Sequence, residues 1–227
     1  MNRAVRAART FATYTTVAGA ASFGTFLAYT RHAEFVPFSV QDDPIVASTA
    51  YKKFNAFGND GAHDLCVRRV PLGEIREEYL QGDGKLVEKF CGGIWAEFGY
   101  DIQRKYLERK YRGPATATDL WDPPELKGST YPVGTRVTDH FEVLEHTASS
   151  ITLRAGDSPR IAGPRDSDGL IELGAKVRQD EGVVEFTFKS VFYKGDGPGQ
   201  PMPDLIQWLH RLYTKLLVES ALKNVRK

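Results

Sequence analysis

The sequence predicts an α+β domain in which a curved antiparallel sheet grips a long C-terminal helix, with an extra long helix after the first strand. Residues 170–177 and 183–193 alternate apolar and polar side chains, and the turn at residues 179–182 joins them as a hairpin. After a break rich in Gly and Pro at residues 195–203, leucines recur at helical spacing from about Asp204 onward. A sheet closed by a helix can enclose an apolar cavity, so this order favours a module that holds a ligand.

Composition excludes several classes of function. The 227 residues are enough for one domain of ordinary size with a terminal extension. The formal net charge is +1 and no basic stripe is present, so nucleic acid is not an expected partner. Cys66 and Cys91 form neither a disulfide framework nor a metal-ligand pattern, and the five histidines have no metal-ligand spacing. We therefore expect no metal and no cofactor, and both cysteines in the core.

The N-terminus has the composition of a mitochondrial transit peptide. The first acidic residue is Glu34, and serine, threonine and alanine are abundant before it. Arg3, Arg6 and Arg9 recur every three residues, which places them on one side of a helix. An Arg-rich, hydroxyl-rich and acid-free start predicts a mitochondrial address.

The same segment also predicts a membrane anchor. Thr10 to Thr30 carries no charge and, as a helix, is long enough to cross a bilayer, although threonines and serines dilute its hydrophobicity. Three interpretations stay open: an anchor in the mitochondrial inner membrane, an anchor in another membrane, and a cleaved presequence that leaves a soluble protein. Residues 1–33 are thus predicted as targeting and anchor segment, residues 34–60 as linker, and residues 61–227 as the α+β domain.

The domain is predicted to begin with a strand at residues 63–72 and a short helical piece at residues 74–80. The strongest helical pattern follows at residues 86–112, where apolar side chains recur every four positions. Gly93 and Gly99 weaken this helix by roughly 1 kcal/mol each relative to alanine, so we expect another element to pack closely there. The apolar stripe consists of Leu86, Phe90, Ile94, Phe98, Ile102 and Tyr106.

The central part of the chain predicts further strands. Residues 116–131 contain two adjacent prolines and predict a loop. Residues 135–145 and 150–155 alternate and predict two strands that pair across the turn between them. A polar loop at residues 156–169 then leads into the long hairpin. These elements predict an antiparallel sheet with its helices on one face.

Five short segments accompany this order of elements: Val133 to Thr135, Thr138 to Val143, Gly169 to Leu173, Glu185 to Ser190 and Trp208 to Leu212. Together with the order of elements, they resemble the START and birch-pollen-allergen-like superfamily, which has the helix-grip fold. The local sequence is similar to that of its polyketide-cyclase-like members over about residues 133–225. The resemblance implies binding of lipids, sterols, quinones or polyketides, and catalysis only in some members.

Asp139 is the main candidate for chemistry on the predicted strand 135–145. It shares a face with Val137 and Phe141, so its carboxylate would be buried if that face lines the interior. Such a group could be a polar anchor or a general acid or base; the alternative is that it pairs with a nearby arginine. The same alternation predicts that His140 points the other way and is exposed.

Other side chains are candidates for contact with a ligand. His210, near the start of the last helix, could touch the ligand or lie on the surface. Arg154, Arg160 and Arg165 could clamp an acidic group, or could form salt bridges within a solvated loop. Aromatic side chains could line a pocket or form plain core. The predicted ligand-binding residues are Trp95, Phe98, Phe141, Arg154, Phe188, Phe192 and Trp208, with Asp139 and His210 as catalytic candidates.

Three functions are consistent with these features. The first is a membrane-anchored protein, held by Thr10 to Thr30, that binds a hydrophobic small molecule without transforming it. The second is an enzyme of the cyclase or isomerase type that uses Asp139 and His210 in the same cavity. The third is a structural or assembly protein, which predicts a core with no pocket.

Overall fold

The computed structural model describes residues 22–227, which divide into two units at position 32. In the first unit, residues 22–29 are helical and the side chains of Phe23 and Leu27 are exposed. The transit-peptide arginines and most of the predicted span Thr10 to Thr30 lie outside the described residues. Among the helices of residues 22–227, none combines the length and the hydropathy needed to span a bilayer.

The second unit, Ala33–Lys227, is built on one antiparallel sheet. Within the described residues this sheet has seven strands, in the order β1-β2-β7-β6-β5-β4-β3. The predicted α+β fold class is confirmed, and the sheet with its C-terminal helix is consistent with the helix-grip arrangement. The strands are β1 (Glu34–Phe35), β2 (Ala62–Pro71), β3 (Arg136–Val137), β4 (Phe141–His146), β5 (Ser150–Gly156), β6 (Asp168–Arg178) and β7 (Val183–Tyr193).

Helices cover both faces of the sheet. We call the face that carries the three longest helices, Lys85–Ala96, Phe98–Tyr111 and Asp204–Ala221, the inner face, and the opposite face the outer face. Alternation along β7 sends Phe186 and Phe188 to the inner face, where the main apolar core lies, and Val191 and Tyr193 to the outer face. The helices are α1 (Pro44–Ala47), α2 (Thr49–Phe54), α3 (Lys85–Ala96), α4 (Phe98–Tyr111), α5 (Pro123–Gly128) and α6 (Asp204–Ala221).

Two polar contacts align α6 with β2. Glu219 accepts a hydrogen bond of 2.7 Å from Nε of Arg68, and Nε2 of His210 lies 3.5 Å from Oδ2 of Asp64. Asp64 and Arg68 are four positions apart on the strand, and His210 and Glu219 are nine positions apart on the helix; both intervals span roughly 13 Å. Helix α6 therefore runs along β2 in the same direction, with polar contacts at both ends of the shared length.

Glycines allow the inner helices to approach closely, as the sequence predicts. A Cβ atom at Gly93 would overlap the carbonyl oxygen of Ala221 and lie 2.9 Å from its Cα atom. A Cβ atom at Gly99 would overlap the hydroxyl of Ser220. Helices α3 and α4 therefore both pack against the C-terminal half of α6.

Residues 34–60 are a layer of the domain and not a linker, in contrast to the prediction. β1 pairs with β2, and helices α1 and α2 place Ile45 and Phe54 against Leu170, Val191 and Tyr193 on the outer face. The pattern escaped detection because helices of one or two turns are too short to show an apolar period.

The helical pattern of residues 86–112 is interrupted at Glu97, whose extended backbone separates α3 from α4. The break changes the face that α4 turns to the core, which now includes Tyr100 and Leu107. As a result the predicted apolar stripe holds only in α3. Phe98, Ile102 and Tyr106, which would continue it, are 56%, 85% and 59% exposed.

The predicted strand 135–145 is also interrupted. Thr138 and Asp139 adopt left-handed backbone conformations, with φ of 48° and 65°. Such conformations end regular pairing, so β3 stops at Val137 and β4 begins at Phe141. The turn changes which side chains of this segment reach the interior.

Candidate ligand cavity

A cavity of about 460 Å³ lies between the inner face of the sheet and helices α3, α4 and α6. Strands β4 to β7 form its floor, α3 and α4 one wall, and α6 the opposite wall. Most of its lining is aliphatic or aromatic. The apolar lining includes Trp95, Phe141, Ile171, Phe188, Phe192, Ile206, Leu209 and Leu217.

The cavity opens near the start of α6. Ile206 and Leu209 line it, yet their side chains are 46% and 45% exposed, which places them at the mouth. Leu205 and Trp208, beside them on the helix, are 64% and 51% exposed. The mouth is therefore bordered by apolar surface.

No Lys, Arg, Asp or Glu side chain is among the described residues that line the cavity. Its polar side chains are all uncharged or weakly basic. They are Tyr100, Gln103, His140, His210 and Tyr213.

His210 belongs to a polar cluster that connects the cavity to the sheet. Its Nε2 atom lies 3.2 Å from Oγ of Ser190, 3.3 Å from Oγ1 of Thr214 and 3.5 Å from Oδ2 of Asp64. Ser190 in turn donates a hydrogen bond of 2.9 Å to Oδ1 of Asp64. Phe192 packs edge-on against the imidazole ring at 5.1 Å.

Burial controls the titration of this cluster. Desolvation lowers the pKa of His210 below its usual 6.5, with Asp64 opposing the shift and Arg211 adding to it. Desolvation also raises the pKa of Asp64, against the effects of His210 and of the Ser190 hydrogen bond. At neutral pH the imidazole is therefore uncharged and able to accept or donate one proton.

The cluster is not a Ser-His-Asp catalytic triad. In a triad the carboxylate holds one ring nitrogen while the serine approaches the other. Here Ser190 and Asp64 both approach Nε2 of His210, and the serine proton points to the carboxylate. The arrangement suits a positioned neutral imidazole better than an activated serine.

Two tyrosines form a second polar region. The hydroxyls of Tyr100 and Thr138 are 2.5 Å apart and share a hydrogen bond. The Tyr213 hydroxyl is buried and has no hydrogen-bond partner among the described residues. Desolvation raises the pKa of both phenols well above 10, so both are neutral hydrogen-bond donors at physiological pH.

His140 lines the cavity, which contradicts the predicted exposure. Its ring lies 4.7 Å from that of Tyr111, and its Nδ1 atom is 3.4 Å from Oδ2 of Asp139. Desolvation lowers its pKa, although Asp139 acts in the opposite direction. The left-handed turn at residues 138–139 is the cause, because it reverses the alternation on which the prediction depended.

Asp139 is buried but does not line the cavity. Its Oδ1 atom accepts hydrogen bonds from Oγ of Ser158, at 2.9 Å, and from Nη1 of Arg160. Arg160 also pairs with Asp119 at 2.9 Å. The carboxylate of Asp139 therefore pairs with a nearby arginine, which is the alternative that the sequence left open.

Arg154 lies on the outer face, opposite the cavity. Its Nε and Nη2 atoms donate hydrogen bonds of 2.9 and 2.5 Å to the carboxylate of Asp168, and Nη2 also donates to the carbonyl of Gly163. The guanidinium carbon is 3.4 Å from the ring centre of Phe54. All of these partners belong to the domain, so the geometry does not present Arg154 as a clamp for a ligand in the cavity.

The structure brings together five of the predicted site residues. Phe98 and Trp208 are exposed on α4 and α6, and Asp139 and Arg154 are in ion pairs away from the cavity. Sequence reasoning missed Tyr100, Gln103, His140 and Tyr213. The five residues that line the cavity are Trp95, Phe141, Phe188, Phe192 and His210.

One signal in the sequence could have found Tyr213. Ile206, His210, Tyr213 and Leu217 recur at intervals of four, three and four residues, which places them on one face of a helix. All four line the cavity. A polar pair on the inward stripe of a closing helix is therefore more informative than the spacing of its leucines alone.

A second depression, of about 640 Å³, lies on the outer face against α1 and α2. Its lining is more polar and includes Lys53, Glu145 and Glu172, with several serine and threonine side chains. The described residues contain no group of three or more His, Cys, Asp or Glu side chains placed to hold a metal ion.

No family model, no curated protein and no solved structure matches this chain. The interpretation of the cavity therefore depends on its own geometry and chemistry.

Proposed function

We propose that this chain is a membrane-anchored protein that binds a hydrophobic small molecule, such as a lipid, quinone or polyketide-like compound, in the inner cavity. The observation that carries the proposal is the cavity of about 460 Å³ with an apolar lining and a few polar groups. Ligand sites in proteins have volumes of roughly 300–1,000 Å³ and this kind of lining. The assembly hypothesis, by contrast, predicts a filled core.

The helix-grip arrangement supports a START-like binding module as the class of protein. Fold alone does not establish function, so this part of the proposal depends on the cavity as well. The apolar surface at the mouth supports access from a membrane, because Leu205, Ile206, Trp208 and Leu209 would otherwise face water. With the Arg-rich start and the uncharged segment Thr10 to Thr30, we propose the mitochondrial inner membrane as location, and another membrane as the alternative.

The test is to isolate the full chain from its own host and to identify what co-purifies with it. Native mass spectrometry gives the stoichiometry, and organic extraction gives the compound. The variant Ile206→Trp narrows the mouth at a half-exposed position, and Leu205→Trp adds the same bulk next to it, at a position that does not line the cavity.

We expect a stoichiometric hydrophobic compound with the wild type and with Leu205→Trp, and a reduced amount with Ile206→Trp. A chain that carries no compound contradicts the proposal. So does equal occupancy of all three proteins, because the compound would then be bound elsewhere.

A second candidate function, an acid–base enzyme of the cyclase or isomerase type, is favoured by one observation. His210 reaches the cavity as an uncharged imidazole with Asp64 behind it, which is an arrangement suited to proton transfer. Asp139, paired with Arg160, has no such access. Incubation of the extracted compound with the wild type and with His210→Gln tests this: turnover that only the wild type supports favours the enzyme, and an unchanged compound favours the binding protein.

A further inference from the structure

We infer that the cavity selects an uncharged ligand that carries an oxygen able to accept a hydrogen bond, a carbonyl or a hydroxyl, and that the Tyr213 hydroxyl donates to this oxygen. The inference depends on the proposed binding function and names the class of ligand. It excludes fatty-acid anions and phosphate headgroups from the interior of the cavity.

The first argument is the absence of a charged partner. The described residues that line the cavity include no side chain with a full charge, and His140 and His210 are held neutral by burial. Charged groups next to the lining residues have partners within the domain: Asp64 accepts a hydrogen bond from Ser190, Asp139 pairs with Arg160, and Arg104 pairs with Asp101. A carboxylate or phosphate would therefore lose its hydration without gaining a cation, which is strongly unfavourable.

The second argument is the free donor. Tyr213 lines the cavity, and its hydroxyl oxygen is buried and has no hydrogen-bond partner among the described residues. The neighbouring Tyr100 hydroxyl is engaged with Thr138. Because an unpaired buried hydroxyl is costly, a ligand oxygen that accepts its proton is preferred over an apolar group at this point.

The third argument is the position of that donor. Ile206 marks the mouth, and Tyr213 follows it by seven residues on the same face of α6, which is about 10 Å along the helix. Leu217 lies one further turn inward. The polar group of the ligand therefore lies within the cavity, and its hydrocarbon part extends toward the apolar mouth.

Tyr193 provides a matched control. Its hydroxyl, like that of Tyr213, is buried and has no hydrogen-bond partner among the described residues, but it lies on the outer face and does not line the cavity. Tyr193→Phe and Tyr213→Phe thus remove the same kind of group from the two faces of the sheet. Neither substitution removes a hydrogen bond within the described residues, so we expect the melting temperature of both variants to equal or exceed that of the wild type.

The experiment measures displacement of the neutral fluorescent probe N-phenyl-1-naphthylamine from the full chain at pH 7.5. The competitors are 2-undecanone, 1-undecanol and decanoate at micromolar concentrations, and the same detergent without protein gives the background. We expect the ketone and the alcohol to bind at least about tenfold more tightly than decanoate. We expect Tyr213→Phe to weaken ketone binding by about five- to tenfold and Tyr193→Phe to leave it unchanged. Both variants should bind the probe with the affinity of the wild type.

Decanoate that binds as tightly as the ketone overturns the selection for uncharged ligands. Ketone binding that is equal in Tyr213→Phe and the wild type overturns the role of Tyr213. These outcomes differ from failure of the proposed function, in which the probe itself gives no signal above that of the detergent alone.

Discussion

The outer and inner faces of the sheet both bury polar side chains, but they use them differently. On the outer face, Arg154 and Asp168 are nearly inaccessible to solvent and satisfy each other through two hydrogen bonds. Lys189 is similarly held between Asp43 and Glu172. On the inner face, the cavity wall contains no charged side chain among the described residues, and its polar residues, which include tyrosines and histidines, lie among apolar ones.

The contrast separates two roles of buried polarity. A buried charge with a complete set of partners orders the structure and has nothing left to offer a ligand. An uncharged polar group beside an unfilled apolar volume can still form a hydrogen bond. Sequence reasoning treated Arg154 and His210 alike as possible ligand contacts, and only the pairing within the fold distinguishes them.

The largest effect is expected from breaking the outer-face pair. Arg154→Met leaves the carboxylate of Asp168 buried without its cation, so we expect a loss of about 3–5 kcal/mol in the free energy of unfolding. Probe binding by the folded protein should not change, because Arg154 lies opposite the cavity. Urea denaturation and probe titration measure the two quantities.

The matched control is Arg69→Met. Arg69 pairs with Glu185 at 2.9 Å, but its side chain is 58% exposed. Surface pairs of this kind contribute up to about 1 kcal/mol. Equal losses in the two variants would contradict the distinction between a buried structural pair and a surface pair.

The inner face depends instead on close packing between helices. A Cβ atom at Gly93 would overlap backbone atoms of Ala221, so Gly93→Ala must separate α3 from α6. We expect it to destabilise the domain by about 1–3 kcal/mol and to weaken probe binding, since both helices line the cavity. Gly128→Ala, where no atom lies within 4 Å of the added methyl group, should stay within about 0.5 kcal/mol of the wild type. If the two variants unfold at the same urea concentration, close helix packing is not what holds the inner layer.

A substitution of Asp139 tests whether this buried carboxylate stabilises the fold or takes part in ligand binding. Because it accepts hydrogen bonds from Ser158 and Arg160, we expect Asp139→Asn to cost about 1–3 kcal/mol of stability and to leave ligand affinity unchanged. Asp166→Asn, at a mostly exposed carboxylate paired with Lys194, is the control and should have little effect. If Asp139→Asn loses turnover or ligand binding without a change in stability, Asp139 has a functional role and not a structural one.

Much of the fold could be predicted because the long elements repeat their pattern many times. Strand β7 begins and ends where the alternation predicts, and β6 extends the predicted segment by two residues before and one after. Helix α6 begins at Asp204, directly after the break rich in Gly and Pro. Eleven or eighteen residues of consistent period leave little ambiguity.

The cavity could be predicted less well, because single residues decide its wall. The extended backbone of Glu97 turns Phe98 out to solvent, and the left-handed Thr138 and Asp139 bring His140 inward. Neither deviation interrupts the apolar period in the sequence. Short apolar runs likewise concealed the outer layer of residues 34–60, where contacts with the sheet rather than helical propensity stabilise α1 and α2.

The smallest expected effect concerns the pH dependence of the inner face. The pKa of His210 is lowered from 6.5 in the folded protein, mainly by desolvation. As the pH falls through 6.5, the unfolded chain takes up a proton that the buried imidazole does not, so stability is complete above pH 6.5 and decreases below it. His140 acts in the same direction, whereas the raised pKa of Asp64 acts in the opposite direction, because the folded carboxyl takes up its proton before the unfolded one as the pH falls.

We therefore expect the free energy of unfolding to be lower at pH 5.5 than at pH 7.5, and the difference to be smaller in His210→Gln. The contribution of one histidine is at most about 1.4 kcal/mol per pH unit. His32→Gln, at an exposed histidine outside the domain, is the control and should retain the pH dependence of the wild type. If His210→Gln retains it as well, the imidazole is hydrated rather than buried. The cavity wall would then differ from the outer face only in the charged side chains that its described lining residues lack, and not in its exclusion of water.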